Sequence, residues 1–237
     1  MSKNELKIIE KLREKSKNMY GVPPVTIAFL GDSVTQGCFE LSVYDYKSAY
    51  STRVKEILNI LYPNVQINII NSGISGDNAT CGAQRLNRDI LAYNPDLVIV
   101  SYGLNDSTKG IEGIVEYEKA LTDIFESLRA RDIDIIFITQ NVMNTKISPY
   151  LKEQELIDLA NSFANNIQNK GVLHTYFEAA KKLCEKYEVK VCDLHPIWEH
   201  LIEIGVDTTE LLSNKLNHPI REFHYYMAIK LTETIIL

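Results

Sequence analysis

No part of the 237-residue chain is apolar for long enough to cross a bilayer, which takes about 20 residues. Basic charge is also in short supply. The 25 Lys and Arg residues face 31 Asp and Glu residues, and the net charge of −6 argues against an electrostatic nucleic-acid binder, which needs a basic stripe. The four cysteines, Cys38, Cys81, Cys184 and Cys192, make no Cys-x-x-Cys pair and no His/Cys cluster. Such spacing disfavours zinc and a secreted disulfide framework, and favours reduced and mostly buried thiols. The opening residues, MSKNELKIIEKLREKSKNMY, mix charges throughout and lack the apolar segment of a signal peptide. A cytoplasmic protein with no membrane partner is expected. With no internal repeat or low-complexity linker, the length favours a single domain over 1–237, with 1–20 as an N-terminal helical extension.

What the chain does contain is a series of apolar runs that stop in small, polar turns. Residues 25–30 (VTIAFL) read as a strand buried on both faces, followed by Gly31, Asp32, Ser33, Val34, Thr35, Gln36 and Gly37. Residues 65–70 (VQINII) lead into NSGISGD, and residues 97–101 (LVIVS) into YGLND. Residues 133–139 and 189–194 supply a fourth and a fifth strand.

Helical patterns lie between the strands. Residues 47–62, 79–93 and 114–131 carry apolar stripes at helical spacing, as do 148–168, 172–187 and 219–236. Residues 3–17 form a short amphipathic pattern, expected on the outside of the domain. Strands that are continuously apolar and alternate with helices predict an α/β fold, a three-layer α/β/α sandwich around a five-stranded parallel sheet. Right-handed crossovers and a switch point between the first and third strands favour the flavodoxin-like order 2-1-3-4-5, with any site at the carboxyl ends of the strands.

The turns themselves resemble the sequence blocks of the SGNH/GDSL hydrolase family. The first is GDSVTQG, with Val34 in place of leucine; the second contains Gly73; the third is GLND with Asn105; the last is NHPIREFH around His218. The resemblance runs from about residue 25 to 231. It implies a serine esterase that needs no metal or organic cofactor. Ser33 is its nucleophile and His218 its base. The backbone N–H groups of Ser33 and Gly73 and the side chain of Asn105 are its oxyanion donors. The residue types suit those tasks: a serine alcohol needs a neighbouring base, and an asparagine amide donates without adding charge. Asp32 and Asp106 read as turn-fixing acceptors in support.

Five histidines compete for the role of base. His174 and His200 read as surface or packing residues and His224 as structural. His195 follows the fifth strand in a second His-Pro pair, but the block match favours His218. Here the chain departs from the family pattern, because the aspartate usual three residues before the histidine is Lys215. Either a backbone carbonyl orients His218 in a Ser-His dyad, or a carboxylate arrives from elsewhere, with Asp193 a remote candidate. Asn214 and Asn217 could also accept from the ring. The expected substrate is a small ester with a short acyl group, such as acetyl on a carbohydrate; tyrosines at 44, 46 and 50 could wall a cleft but read first as loop packing. The alternatives are a lysophospholipase- or thioesterase-type acylhydrolase, and a non-catalytic flavodoxin-like protein holding a carbohydrate or phosphate ligand.

Overall fold

The computed structural model describes residues 5–237. Five parallel strands, β1 (Val25–Gly31), β2 (Ile67–Gly73), β3 (Leu97–Ser101), β4 (Asp134–Ile138) and β5 (Lys190–Cys192), form one sheet in the order β2-β1-β3-β4-β5. The order is the one expected from the switch-point argument. All five residues of β3 are buried, as are all but Thr26 in β1, because helices cover both faces of these central strands. β2 lies at the sheet edge and exposes Asn68 and Asn71, so its apolar run is only partly covered.

Helices lie before, between and after the strands. The first is α1 (Lys7–Lys17), followed by the single turn α2 (Ser33–Gln36), α3 (Tyr50–Leu61) and α4 (Ala79–Asp89). The short α5 (Leu104–Ser107) precedes α6 (Ile114–Arg129) and α7 (Gln154–Ser162). The chain ends with α8 (Val172–Lys186), α9 (His195–Glu203) and α10 (Arg221–Ile236). α3 and α10 pack together, and α4, α6 and α8 form a second row. The pattern over 148–168 resolves into α7 followed by a π-helical turn at Phe163–Gln168.

The N-terminal helix is more deeply integrated than its sequence pattern suggests. Residues 1–4 lie outside the described residues, and α1 caps the amino-terminal ends of the strands instead of lying on the outside. Ile8, Ile9 and Leu12 are buried in the main core. The Ile8 N–H donates to Asp134 at 2.8 Å, and Lys11 pairs with Asp96 at 2.7 Å. Asp96 also accepts from the Thr26 N–H at 2.8 Å, so one carboxylate ties α1 to the start of β1.

The register places the site. Gly31 is paired with Gly73 on one side and Ser101 on the other. Three strand ends therefore lie side by side, and the turns that follow them open at the carboxyl end of the sheet.

Candidate functional site

Ser33 opens the single turn α2. Its predecessor Asp32 is the N-cap, and one carboxylate oxygen accepts from the Val34 N–H at 2.9 Å. The other accepts from Gln140 Nε2 at 2.9 Å. Burial pushes the Asp32 carboxyl up to about 7, against these two hydrogen bonds. Thr35 is anchored below by the Tyr50 hydroxyl at 2.8 Å.

His218 arrives from the loop before α10 and meets the serine. Its Nε2 lies 2.9 Å from Ser33 Oγ, and its Nδ1 lies 2.8 Å from the carbonyl oxygen of Phe39. A carbonyl only accepts, so Nδ1 carries the proton and Nε2 is free to accept from the serine hydroxyl. Burial lowers the His218 pKa from its ordinary value of 6.5, and the bond to Phe39 partly opposes that. A neutral imidazole in this position can take the Oγ proton as the alcohol attacks a carbonyl.

The acceptor left open by the sequence is thus the main-chain carbonyl of Phe39. Lys215 adopts a left-handed backbone (φ 60°) and reaches away to the Glu210 carboxylate at 3.0 Å. Asp193 is held by Thr139 at 2.7 Å and Lys181 at 3.0 Å. Asn214 serves the loop instead of the ring: its Oδ1 accepts from the N–H groups of Leu216, Asn217 and His218, each at 3.0 Å. The Asn217 carbonyl accepts from Asn141 Nδ2 at 2.8 Å.

The remaining histidines separate as their positions suggest. His200 is exposed, while His224 is wholly buried and its Nδ1 accepts from the Tyr50 N–H at 3.2 Å. His195 is buried against the Gln140 carbonyl, and its hydrogen bonds do not involve Ser33. His174 is half-exposed.

Of the three expected donors, Ser33 and Asn105 lie in turns that face each other across the β1–β3 switch point. Asn105 Nδ2 donates to the Asp77 carbonyl at 2.7 Å, which fixes the amide while leaving its second hydrogen. Gly73 is differently placed. Its N–H is engaged with Asn71 Oδ1 at 3.0 Å, and a Cβ added there would stand 2.2 Å from the Gln36 nitrogen. Gly73 is therefore a close-packing glycine under α2. Three residues on, Gly76 has φ +78°, and a Cβ added there would meet nothing within 4 Å. Its loop is tied to the serine turn by Ser75 N–H to Gln36 Oε1 at 2.7 Å and by Ile74 N–H to the Gly31 carbonyl at 3.1 Å.

Several residues that position this site gave no signal in the sequence. Arg85, on α4, donates to Asp77 at 2.5 and 2.8 Å and to the Gly31 carbonyl at 3.1 Å, and the Tyr102 hydroxyl donates to Asp77 at 3.0 Å. Arg85 and Asp77 are both buried, so removing either partner leaves an uncompensated charge and is expected to cost about 3–5 kcal/mol. Asp106 accepts from the Ala79 N–H at 2.9 Å, and burial lifts its carboxyl to about 6. Gln140 links Asp32 to the Leu104 N–H. Asp106 is already expected in support; Arg85, Tyr102 and Gln140 look ordinary in the sequence, and only a buried polar network gives them a task.

The family model for GDSL-like lipases/acylhydrolases matches residues 29–224, a span that contains every turn just described. The chain belongs to that family. Among curated proteins, an acetylxylan esterase of Geobacillus stearothermophilus is 32% identical over 87 residues, which cover 34% of this chain and 39% of that protein. The match therefore spans well under half the length of that relative. Among solved structures, a two-domain esterase active on acetylated mannans superimposes with a TM-score of 0.70 at 18% identity, covering 98% of this chain and 53% of that one. The acetyl xylan esterase AlAXEase gives a TM-score of 0.69 at 21% identity, covering 90% of this chain and 100% of the other. At these identities the two structures are similar to the chain in fold. No helix among the described residues is long and apolar enough to cross a membrane.

Proposed function

We propose that this GDSL-family chain is a serine esterase that removes short acyl groups, acetyl foremost, from acylated carbohydrate. The observation that carries the reading is the 2.9 Å contact between His218 Nε2 and Ser33 Oγ, with Nδ1 of the same ring anchored on a carbonyl. Ser33 attacks the ester carbonyl and His218 takes its proton. The same proton then passes to the departing sugar oxygen. Water then attacks the acyl-enzyme as His218 takes its proton, and that proton passes to Ser33 Oγ as its bond to the acyl group breaks and the acid leaves.

Charge develops on the carbonyl oxygen during each attack. The donors we assign to it are the Ser33 N–H, the second amide hydrogen of Asn105, and the N–H of Gly76 in place of Gly73, whose N–H is already engaged. Asp32 and Asp106 act in support by fixing the turns that carry Ser33 and the 77–79 segment.

The carbohydrate part rests on the relatives that act on acetylated xylan and mannan, and on the loop after α2. Tyr44 and Tyr46 stack nearly parallel there, ring centroids 6.4 Å apart at 16°, and are 44% and 58% exposed. Tyr50, by contrast, is buried and packs against Phe29. An exposed aromatic pair offers a flat apolar face to a sugar ring. Cytoplasmic action on soluble acylated oligosaccharides agrees with the four free cysteines.

The test is hydrolysis of p-nitrophenyl esters of increasing acyl length alongside acetylated xylo- and manno-oligosaccharides. Wild-type turnover that falls off beyond acetyl and is lost in Ser33→Ala supports the reading. Turnover that survives Ser33→Ala, or that rises with chain length, overturns it.

A further inference from the structure

Away from Ser33, α8 and α9 bring together three side chains that ester hydrolysis does not use. His195 opens α9, Glu199 follows one turn later on the same face, and His174 meets them from α8. Glu199 Oε1 lies 2.8 Å from His174 Nδ1 and 3.4 Å from His195 Nε2. One ligand atom from each of the three lies within 4.8 Å of the others. Ligands around a tetrahedral zinc with bonds of about 2.0–2.2 Å are separated by about 3.4 Å, so one small ion can contact all three after slight adjustment.

A second observation points the same way. The His195 ring is only 2% exposed, its Nδ1 faces the Gln140 carbonyl at 3.3 Å, and its Nε2 has no hydrogen-bond partner among the described residues. A histidine whose Nδ1–H is fixed on a carbonyl presents a lone pair at Nε2, which is how metal-ligating imidazoles are oriented. The side chains of His174 and Glu199 are 48% and 34% exposed, so an ion can enter from solvent.

We infer that His174, His195 and Glu199 form a zinc site with three protein ligands and a fourth position for water. Two imidazoles and one carboxylate suit zinc better than magnesium or calcium, which prefer all-oxygen shells. The widely spaced cysteines argue against a thiolate zinc site and leave this one untouched. The ion staples α8 to α9. It also bears on Gln140, whose carbonyl holds His195 and whose side chain holds Asp32 beside Ser33.

The experiment is a titration of untagged, chelator-treated full-length protein with Zn²⁺ by calorimetry, and with Co²⁺ followed by its visible absorption. One ion per chain is expected, with the intense bands of low-symmetry nitrogen/oxygen coordination. His174→Ala and Glu199→Gln, both at partly exposed positions, should each weaken binding at least tenfold while circular dichroism stays unchanged. Wild-type protein should also melt at a higher temperature with Zn²⁺, and the double variant should not. Absence of binding at 100-fold molar excess of Zn²⁺ overturns the site, and so does binding that is unchanged in the double variant. Because metal binding is read directly, the outcome is independent of whether the chain hydrolyses esters.

Discussion

His218 donates its Nδ1–H to the carbonyl of Phe39 at 2.8 Å, 179 residues away in the chain. This bond fixes the tautomer and the plane of the ring without a carboxylate. Phe39 is itself held by its neighbours. Arg221, one turn after His218, stacks over the Phe39 ring at 4.3 Å and grips Glu40 at 2.8 and 3.1 Å and Asp45 at 3.0 Å. Arg221 thus clamps the loop that orients the proposed base.

That clamp predicts the behaviour of Arg221→Ala. The loop at 37–46 should loosen and the His218 ring should lose its fixed orientation. We expect kcat to fall about tenfold with KM for p-nitrophenyl acetate little changed, since a small misplacement of a catalytic group acts on the rate. Arg221→Lys should recover only part of the loss, because lysine cannot form the forked contact with Glu40. Steady-state kinetics of both variants decides it; wild-type kcat in Arg221→Ala would refute the clamp.

Lys215→Asp places a carboxylate where the family pattern has one. The left-handed backbone at 215 accepts aspartate readily, yet it directs the side chain toward Glu210. With Nδ1 already bonded to Phe39, kcat/KM should stay within about threefold of wild type, about 0.7 kcal/mol. A rise of tenfold or more would mean that a missing carboxylate limits the rate.

Asn214→Ala removes the single oxygen that accepts from three successive N–H groups leading to His218. Three buried donors lose their partner at once, and each unsatisfied group costs about 1–3 kcal/mol if nothing replaces it. A marked drop in thermal midpoint together with lower kcat is expected. A fall in kcat alone would assign Asn214 to the chemistry instead of the loop.

Asn105→Ala and Gly73→Ala should fail for different reasons. Loss of one oxyanion donor typically costs about 3 kcal/mol of barrier, so in the donor role we propose for Asn105, Asn105→Ala should fold and lose about 10²–10³ in kcat. In Gly73→Ala the new Cβ meets backbone at 2.2 Å, so misfolding or a shifted α2 is expected. Differential scanning calorimetry beside kinetics separates the two. A Gly73→Ala protein with wild-type stability would contradict the packing.

Acid should act through the two buried histidines of this region. Burial lowers His218 below 6.5, so kcat/KM should hold steady down to that pH and decline only as His218 gains its proton further into acid. His224 is driven down to about 3 by burial. Above 6.5 it is neutral in both folded and unfolded chains and contributes nothing. Between 6.5 and 3 the unfolded chain binds the proton and the folded chain does not, so stability falls as pH falls, by at most about 1.4 kcal/mol per pH unit. His224→Gln should flatten that dependence in urea melts at pH 7, 6 and 5. An unchanged slope would remove His224 as its cause.

The chain determined by itself whatever depends on local order. The spacing of apolar residues marked five strands and their order, because a buried parallel strand must be apolar on both faces and crossovers have one hand. The turns after β1 and β3 and the segment before α10 pointed to Ser33, Asn105 and His218 through their resemblance to the family's short blocks of glycine, proline and polar residues. What the tertiary structure decided were relations between distant segments. The choice of Phe39 as acceptor, the Arg85–Asp77–Tyr102 network, Gln140 between Asp32 and Leu104, and the packing of Gly73 under α2 all join residues far apart in sequence. A carbonyl carries no side-chain signature, and an arginine in a helix reads the same whether it is solvated or buried. The depth of α1 was hidden for the same reason: its apolar stripe is visible, but only the folded sheet presents the open strand ends that it covers.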